Sequence, residues 1–189
     1  MTVETIVSVF LGIGLAASVG FRVFVPLFVL SLVGHYNVIP LNENWMWISS
    51  TPAIITLGIA TLAEIFAYYI PWVDNLLDTI AIPMAAIAGT AVMVSTSMNL
   101  SPIITWSLAI IAGGGTATAI KASSSSARLA STATTGGIAN PIVSTVETGS
   151  SIVISVLAIF IPLIAIILVL VILFFIRKMF VKIKKTTNS

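Results

Sequence analysis

The sequence predicts an all-α fold, a polytopic bundle of transmembrane helices in which some helices are broken or kinked. Three observations predict it. Of 189 residues, 58% are hydrophobic and only 7% charged, against roughly 45–50% and about 25% in soluble domains. So few charges cannot cover a water-facing surface of this size, so the solvent is lipid. The apolar residues are also gathered into long runs, and a span needs about 20 of them because a helix rises ~1.5 Å per residue across a ~30 Å hydrocarbon core. Finally, five of the eight Lys and Arg (Arg177, Lys178, Lys182, Lys184, Lys185) follow directly on the last apolar run, the mark of a cytoplasmic helix end.

The chain reads as a single membrane domain over residues 1–189, with apolar segments at 5–34, 52–70, 79–98, 103–120 and 142–176. Met1 to Thr5 lacks the positive n-region of a signal peptide, so the first segment is kept as structure. It runs for 30 residues, about 45 Å as one helix, and Gly20 and Pro26 suggest a break. A loop from His35 to about Glu43 leads to Trp45 and Trp47, which suit the aromatic belt at headgroup level. After the second span, Pro71, Trp72, Asp74 and Asp78 read as a short polar connection. Asn99-Leu100-Ser101-Pro102 reads as a tight turn between the third and fourth spans.

Residues 113–133 read as a small-residue helix. Gly114, Thr118, Ala122, Ser126 and Ala130 recur every four residues, as do Gly115, Ala119, Ser123, Ala127 and Ser131. Small residues at that period let helix backbones approach closely within a bilayer, and Gly12, Ala16 and Gly20 form a matching stripe. A low-complexity linker is the plainer alternative. Gly136-Gly137 ends this helix, and Asn140-Pro141 reads as an N-cap followed by a first-turn proline. The last run holds Pro162 and is either one kinked helix or a hairpin turning near Phe160 to Pro162. The basic tail occupies 177–189.

Charges inside a bilayer cost at least ~2.5–3.5 kcal/mol each at a helix centre on insertion scales, so each needs a partner. The candidate ligand-binding set is Arg22, Glu64, Lys121, Arg128, Thr135, Asn140 and Glu147. One reading pairs these charges internally, fixing helix register. The other lets Arg22, Lys121 and Arg128 line a polar cavity for a small anionic or lipid-phosphate ligand, helped by amide donors at the break before Asn140. Asp74 and Asp78, one turn apart, are weak metal candidates, since Mg²⁺ ordinarily needs further oxygens. His35 reads as an interfacial polar residue. With no Cys, no G-x-S-x-G, no H-E-x-x-H and no P-loop, catalytic motifs are missing. Lys121 with a neighbouring serine is the one conceivable hydrolytic pair, set among serines that a compositional run makes common.

The chain resembles the bacterial domain-of-unknown-function membrane family numbered 4126. The matching stretches are GIGLAASVGFRVFVPL (Gly12 to Leu27), AEIFAYYIPWVDNLLD (Ala63 to Asp78) and KASSSSARLASTATTGGIANPIVSTVE (Lys121 to Glu147). The resemblance implies that Arg22, Glu64, Pro71, Asp74, Asp78, Lys121, Arg128, Asn140 and Glu147 belong to a family pattern. Many members carry an Asp-Lys pair where this chain has Tyr68-Tyr69, and an Arg where it has Ile82. It implies no activity. The expectation is therefore a bacterial inner-membrane, multi-pass protein with a cytoplasmic C-terminus, not an enzyme, and needing no cofactor. Its expected partners are membrane lipids and a small anionic ligand, not nucleic acid, with self-association left open.

Overall fold

The computed structural model describes residues 2–70 and 73–187, and their side chains except Asn75, Met179, Phe180 and residues 182–187. Pro71 and Trp72 of the expected connection, and the side chains of Lys182, Lys184 and Lys185, fall outside the described residues. Among those described there is no strand. The order is α1 (Val3–Phe21), α2 (Phe24–His35), a 3₁₀ segment (Glu43–Ser49), α3 (Thr51–Ala67), α4 (Val73–Thr96), α5 (Pro102–Leu108), a π-helical segment (Ala109–Gly114), α6 (Gly115–Thr135), α7 (Asn140–Phe160) and α8 (Pro162–Thr187). Four helices are long and apolar enough to cross a membrane, five when the 3₁₀ segment and α3, bent by 63°, are taken as one span.

Prolines decide where the long runs break. Had α1 continued, the Pro26 ring would meet the carbonyl of residue 22, four positions back. The chain is accordingly extended at Arg22 (φ −140°, ψ 126°), and Pro26 falls in the first turn of α2, where its missing N–H costs nothing. Pro162 acts likewise: Ile161 leaves the helical region (φ −141°, ψ 67°). The last run is a hairpin, since Ile154 of α7 and Val169 of α8, equidistant from that break, share one buried cluster with Ala17 and Ile120.

Three expectations are corrected. The fourth apolar segment and the small-residue helix are one continuous helical stretch, Pro102–Thr135, because Gly113 and Gly114 are absorbed as a π-helical segment instead of a break. Asp74 and Asp78 lie in the first turns of α4, not in a connection. Asn140 is the first residue of α7, capped by Ala139, and its side chain is used elsewhere. The packing face also shifts along α6: Ala117, Ile120, Lys121 and Arg128 are buried, whereas Ala122, Ser126 and Ala130 are half-buried or exposed.

α1 is the central helix, with Leu15, Ala16, Ala17, Val19 and Gly20 buried. α4, α6, α7 and α8 surround it. Close approach is set by small residues: a Cβ at Gly20 would sit 2.8 Å from the Ala117 carbonyl oxygen, and one at Gly89 would sit 2.8 Å from that of Gly113. Two ends of the bundle result. One, end B, gathers the start of α1, the 3₁₀ segment with Trp45 and Trp47, and the α7–α8 turn. The other, end A, gathers Arg22, the start of α4, the C-terminal half of α6, the start of α7 and the basic end of α8.

Candidate functional site

The break after α1 creates the first half of the site. The opening N–H groups of α2 have no intrahelical acceptor, and Glu64 of α3 supplies one, accepting from Val23 N at 2.8 Å and Phe24 N at 2.9 Å. Glu64 is thus a cap borrowed from another helix, placed where a helix N-terminus favours negative charge. The same break frees the Arg22 side chain to turn onto α7. Its Nε donates to Thr148 Oγ1 at 3.0 Å and its Nη2 to the Ser144 carbonyl at 3.0 Å, with Glu147 Oε2 at 3.5 Å.

The C-terminal half of α6 supplies the other cations. Lys121 and Arg128, seven residues apart, share one face and both turn inward. Lys121 Nζ donates to the Tyr68 hydroxyl at 3.1 Å and lies 3.6 Å from Asp78. Arg128 Nε lies 3.1 Å from Asp78 Oδ2, its Nη1 donates to Ser144 Oγ at 3.2 Å, and its Nη2 pairs with Glu147. Glu147 also accepts from Ser124. One carboxylate therefore serves two arginines and a hydroxyl, and the other, Asp78, serves Lys121, Arg128 and the Tyr68 hydroxyl at 3.3 Å.

Tyr68 occupies the centre. The charged groups of Arg22, Lys121 and Arg128 lie 4.2, 4.9 and 4.6 Å from its ring centroid, within cation–π range of a negative aromatic face. The three cations are 0%, 1% and 1% exposed, so they meet protein and not an open cavity. Three carboxylates answer them: Asp78 and Glu147 by contact, and Glu64, itself held by the α2 amides. One donor is left over, since Arg22 Nη1 has no hydrogen-bond partner among the described residues.

Of the residues expected to form a site, Arg22, Lys121, Arg128 and Glu147 come together around Tyr68, with Glu64 capping α2 beside them. Asn140 lies at the rim, where its amide donates to Asp74 Oδ2 and Thr132 Oγ1, both at 3.0 Å. Thr135 lies apart, exposed at the end of α6, donating to the Ser131 carbonyl at 2.7 Å and accepting from Ala139 N. The paired metal candidates part company: Asp74 engages Asn140, whereas Asp78 engages the cations. No cluster of three or more His, Asp or Glu side chains suited to a metal occurs among the described residues. Lys121 Nζ has Tyr68 and Asp78 as partners, not a serine.

Tyr68 and Asp78 are the central residues that sequence reasoning misassigned. An aromatic just before a proline at a helix end reads as an interfacial anchor, and Asp78 reads as half of an acidic pair. Also unforeseen is a hydroxyl ladder: Ser18 Oγ lies 2.8 Å from Ser151 Oγ and 2.7 Å from Ser155 Oγ. The available signal was the spacing Asn140, Ser144, Glu147, Ser151, Ser155, which repeats every three or four residues along one face of α7.

Two clefts flank the centre. One of 350 Å³ lies between α6, α7 and α8 and has Glu147 and Ser124 in its wall. The other, of 320 Å³, lies between α3 and α4 and has Glu64 and Tyr68 in its wall. Both are otherwise apolar.

No curated protein and no solved structure matches the chain. Residues 9–182 match the family model described as "Domain of unknown function (DUF4126)", a span that includes every member of the charged centre. This multi-pass helical chain belongs to that family.

Proposed function

We propose that the charged centre is an internal clamp that selects one packing of the helices at end A. The observation that supports it is that each of the three buried cations ends on a carboxylate of a different helix. Unpaired, each would be costly in lipid; paired in one geometry, they link the end of α1 to α7 and α6 to both α4 and α7. A hydrophobic replacement of such a cluster is often equally stable, so the clamp's contribution is the choice of partner helices. Because Glu147 serves both Arg22 and Arg128, a simple charge swap at two positions does not restore it. A double-mutant cycle does test it. Arg22→Met and Glu147→Gln should each cost about 3–5 kcal/mol in detergent unfolding, and the pair should cost about 1–3 kcal/mol less than their sum. Strict additivity would show that the two side chains do not act together.

A second reading, binding of a small anionic group in place of Glu147, is favoured by the unpartnered Arg22 Nη1. Under it, neutralising the resident carboxylate with Glu147→Gln raises affinity for inorganic phosphate. Equilibrium dialysis of detergent-solubilised protein that finds the same phosphate binding in Arg22→Met would remove this reading. We assign no catalytic role to Lys121.

The proposed location is a bacterial inner membrane with end A cytoplasmic. Arg177 and Lys178 close the described part of α8 at end A, Lys182, Lys184 and Lys185 follow them, and end B holds no Lys or Arg. That asymmetry is what the positive-inside rule reads.

A further inference from the structure

The cleft between α6, α7 and α8 differs from the other apolar clefts in what stands at its mouth. Its walls are Phe21, Ile120, Val143, Val146, Ile172 and Ile176, with Ser123, Ser124 and Glu147 along them, around 350 Å³. Arg177 follows Ile176 directly, Lys178 comes next, and both are exposed. Among the described residues no carboxylate pairs with either. The α3–α4 side offers two further clefts, of 320 and 580 Å³, which share Val23, Phe24 and Met84, and neither has a Lys or Arg in its lining.

We propose that the α6–α7–α8 cleft holds one acyl chain of an anionic phospholipid from the leaflet at end A, with its phosphate against Arg177 and Lys178. An apolar slot open to the bilayer suits a hydrocarbon chain, and cations at the end of a transmembrane helix draw anionic headgroups. The slot and the cations are adjacent in sequence and at the same end of the bundle, so one amphiphile satisfies both. A second copy of this chain suits the cleft less well, because a two-fold contact sets the same patch against itself and would oppose Arg177 and Lys178 to their own equivalents. The proposal rests on the bilayer-spanning architecture and stands whether or not the charged centre acts as a clamp.

Native mass spectrometry of the full chain in detergent tests it, with equimolar dioleoyl phosphatidylglycerol and dioleoyl phosphatidylcholine as probes. The expected result is one retained lipid, with the anionic one favoured roughly fivefold or more per cation engaged. Arg177→Gln with Lys178→Gln, both on the surface, should bring the two lipids to parity. Val146→Trp, which fills the slot, should lose retention of both. Equal retention of the two lipids by the parent protein overturns the proposal, as does unchanged selectivity in the double glutamine variant. Displacement of the lipid by inorganic phosphate would place binding at the cations alone and also overturn it. A doubled mass without lipid would give the cleft to a second copy.

Discussion

Tyr68 is the residue through which the charged centre can be taken apart. Its ring faces three cations and its hydroxyl joins Lys121 to Asp78. Tyr68→Phe keeps the ring and removes the hydroxyl, and losing hydrogen bonds to charged groups should cost about 1.5–3 kcal/mol. Tyr68→Leu removes both and should cost roughly 2 kcal/mol more, since desolvated cation–π contacts are worth about that. Unfolding of the two variants in detergent gives the order, and a leucine variant as stable as the parent would rule out the ring as a partner for the cations. The sequence analysis could see that Arg22, Glu64, Lys121, Arg128 and Glu147 were out of place in lipid, because the cost of a buried charge depends only on its surroundings being apolar. It could not see Tyr68, because an aromatic residue is at home in a membrane and raises no such alarm.

Among the elements, the contact between α4 and the π-helical segment is the tightest to test. At Gly89 a Cβ would lie 2.6 Å from Ala117 Cβ and 2.8 Å from the Gly113 carbonyl oxygen, and backbone cannot yield cheaply. Gly89→Ala should therefore cost about 1–3 kcal/mol through overpacking. Gly149→Ala on α7, with nothing within 4 Å of the new methyl group, should be neutral or stabilising by up to about 1 kcal/mol. Equal effects at both positions, measured by unfolding in the same detergent, would mean that close approach is not what Gly89 provides. Breaks at Arg22 and Ile161 were legible because a proline acts on residues one to four positions before it. The continuity of Pro102–Thr135 was not, because glycines that read as a break are here held helical by α4 packed against them.

For the whole molecule, the arrangement of ends predicts orientation. Ser101, before α5, lies at end B, and Thr134, near the end of α6, lies at end A. In intact cells, a membrane-impermeant maleimide should label Ser101→Cys, and Thr134→Cys only after permeabilisation. The reverse pattern would invert the proposed orientation. The chain contains no native cysteine to confuse the readout.

The membrane-spanning class, the long helices and the proline breaks were determined by the sequence alone. Each follows from composition or from sterics acting over a few residues, and neither needs a partner. The pairing was decided only by tertiary structure. Glu64 serves α2, Glu147 is shared by two arginines, Asp78 leaves Asp74 to join the cations, and Thr135 stays outside. Which carboxylate a cation meets depends on how helices far apart in the chain are placed side by side, and short-range patterns carry no record of that placement.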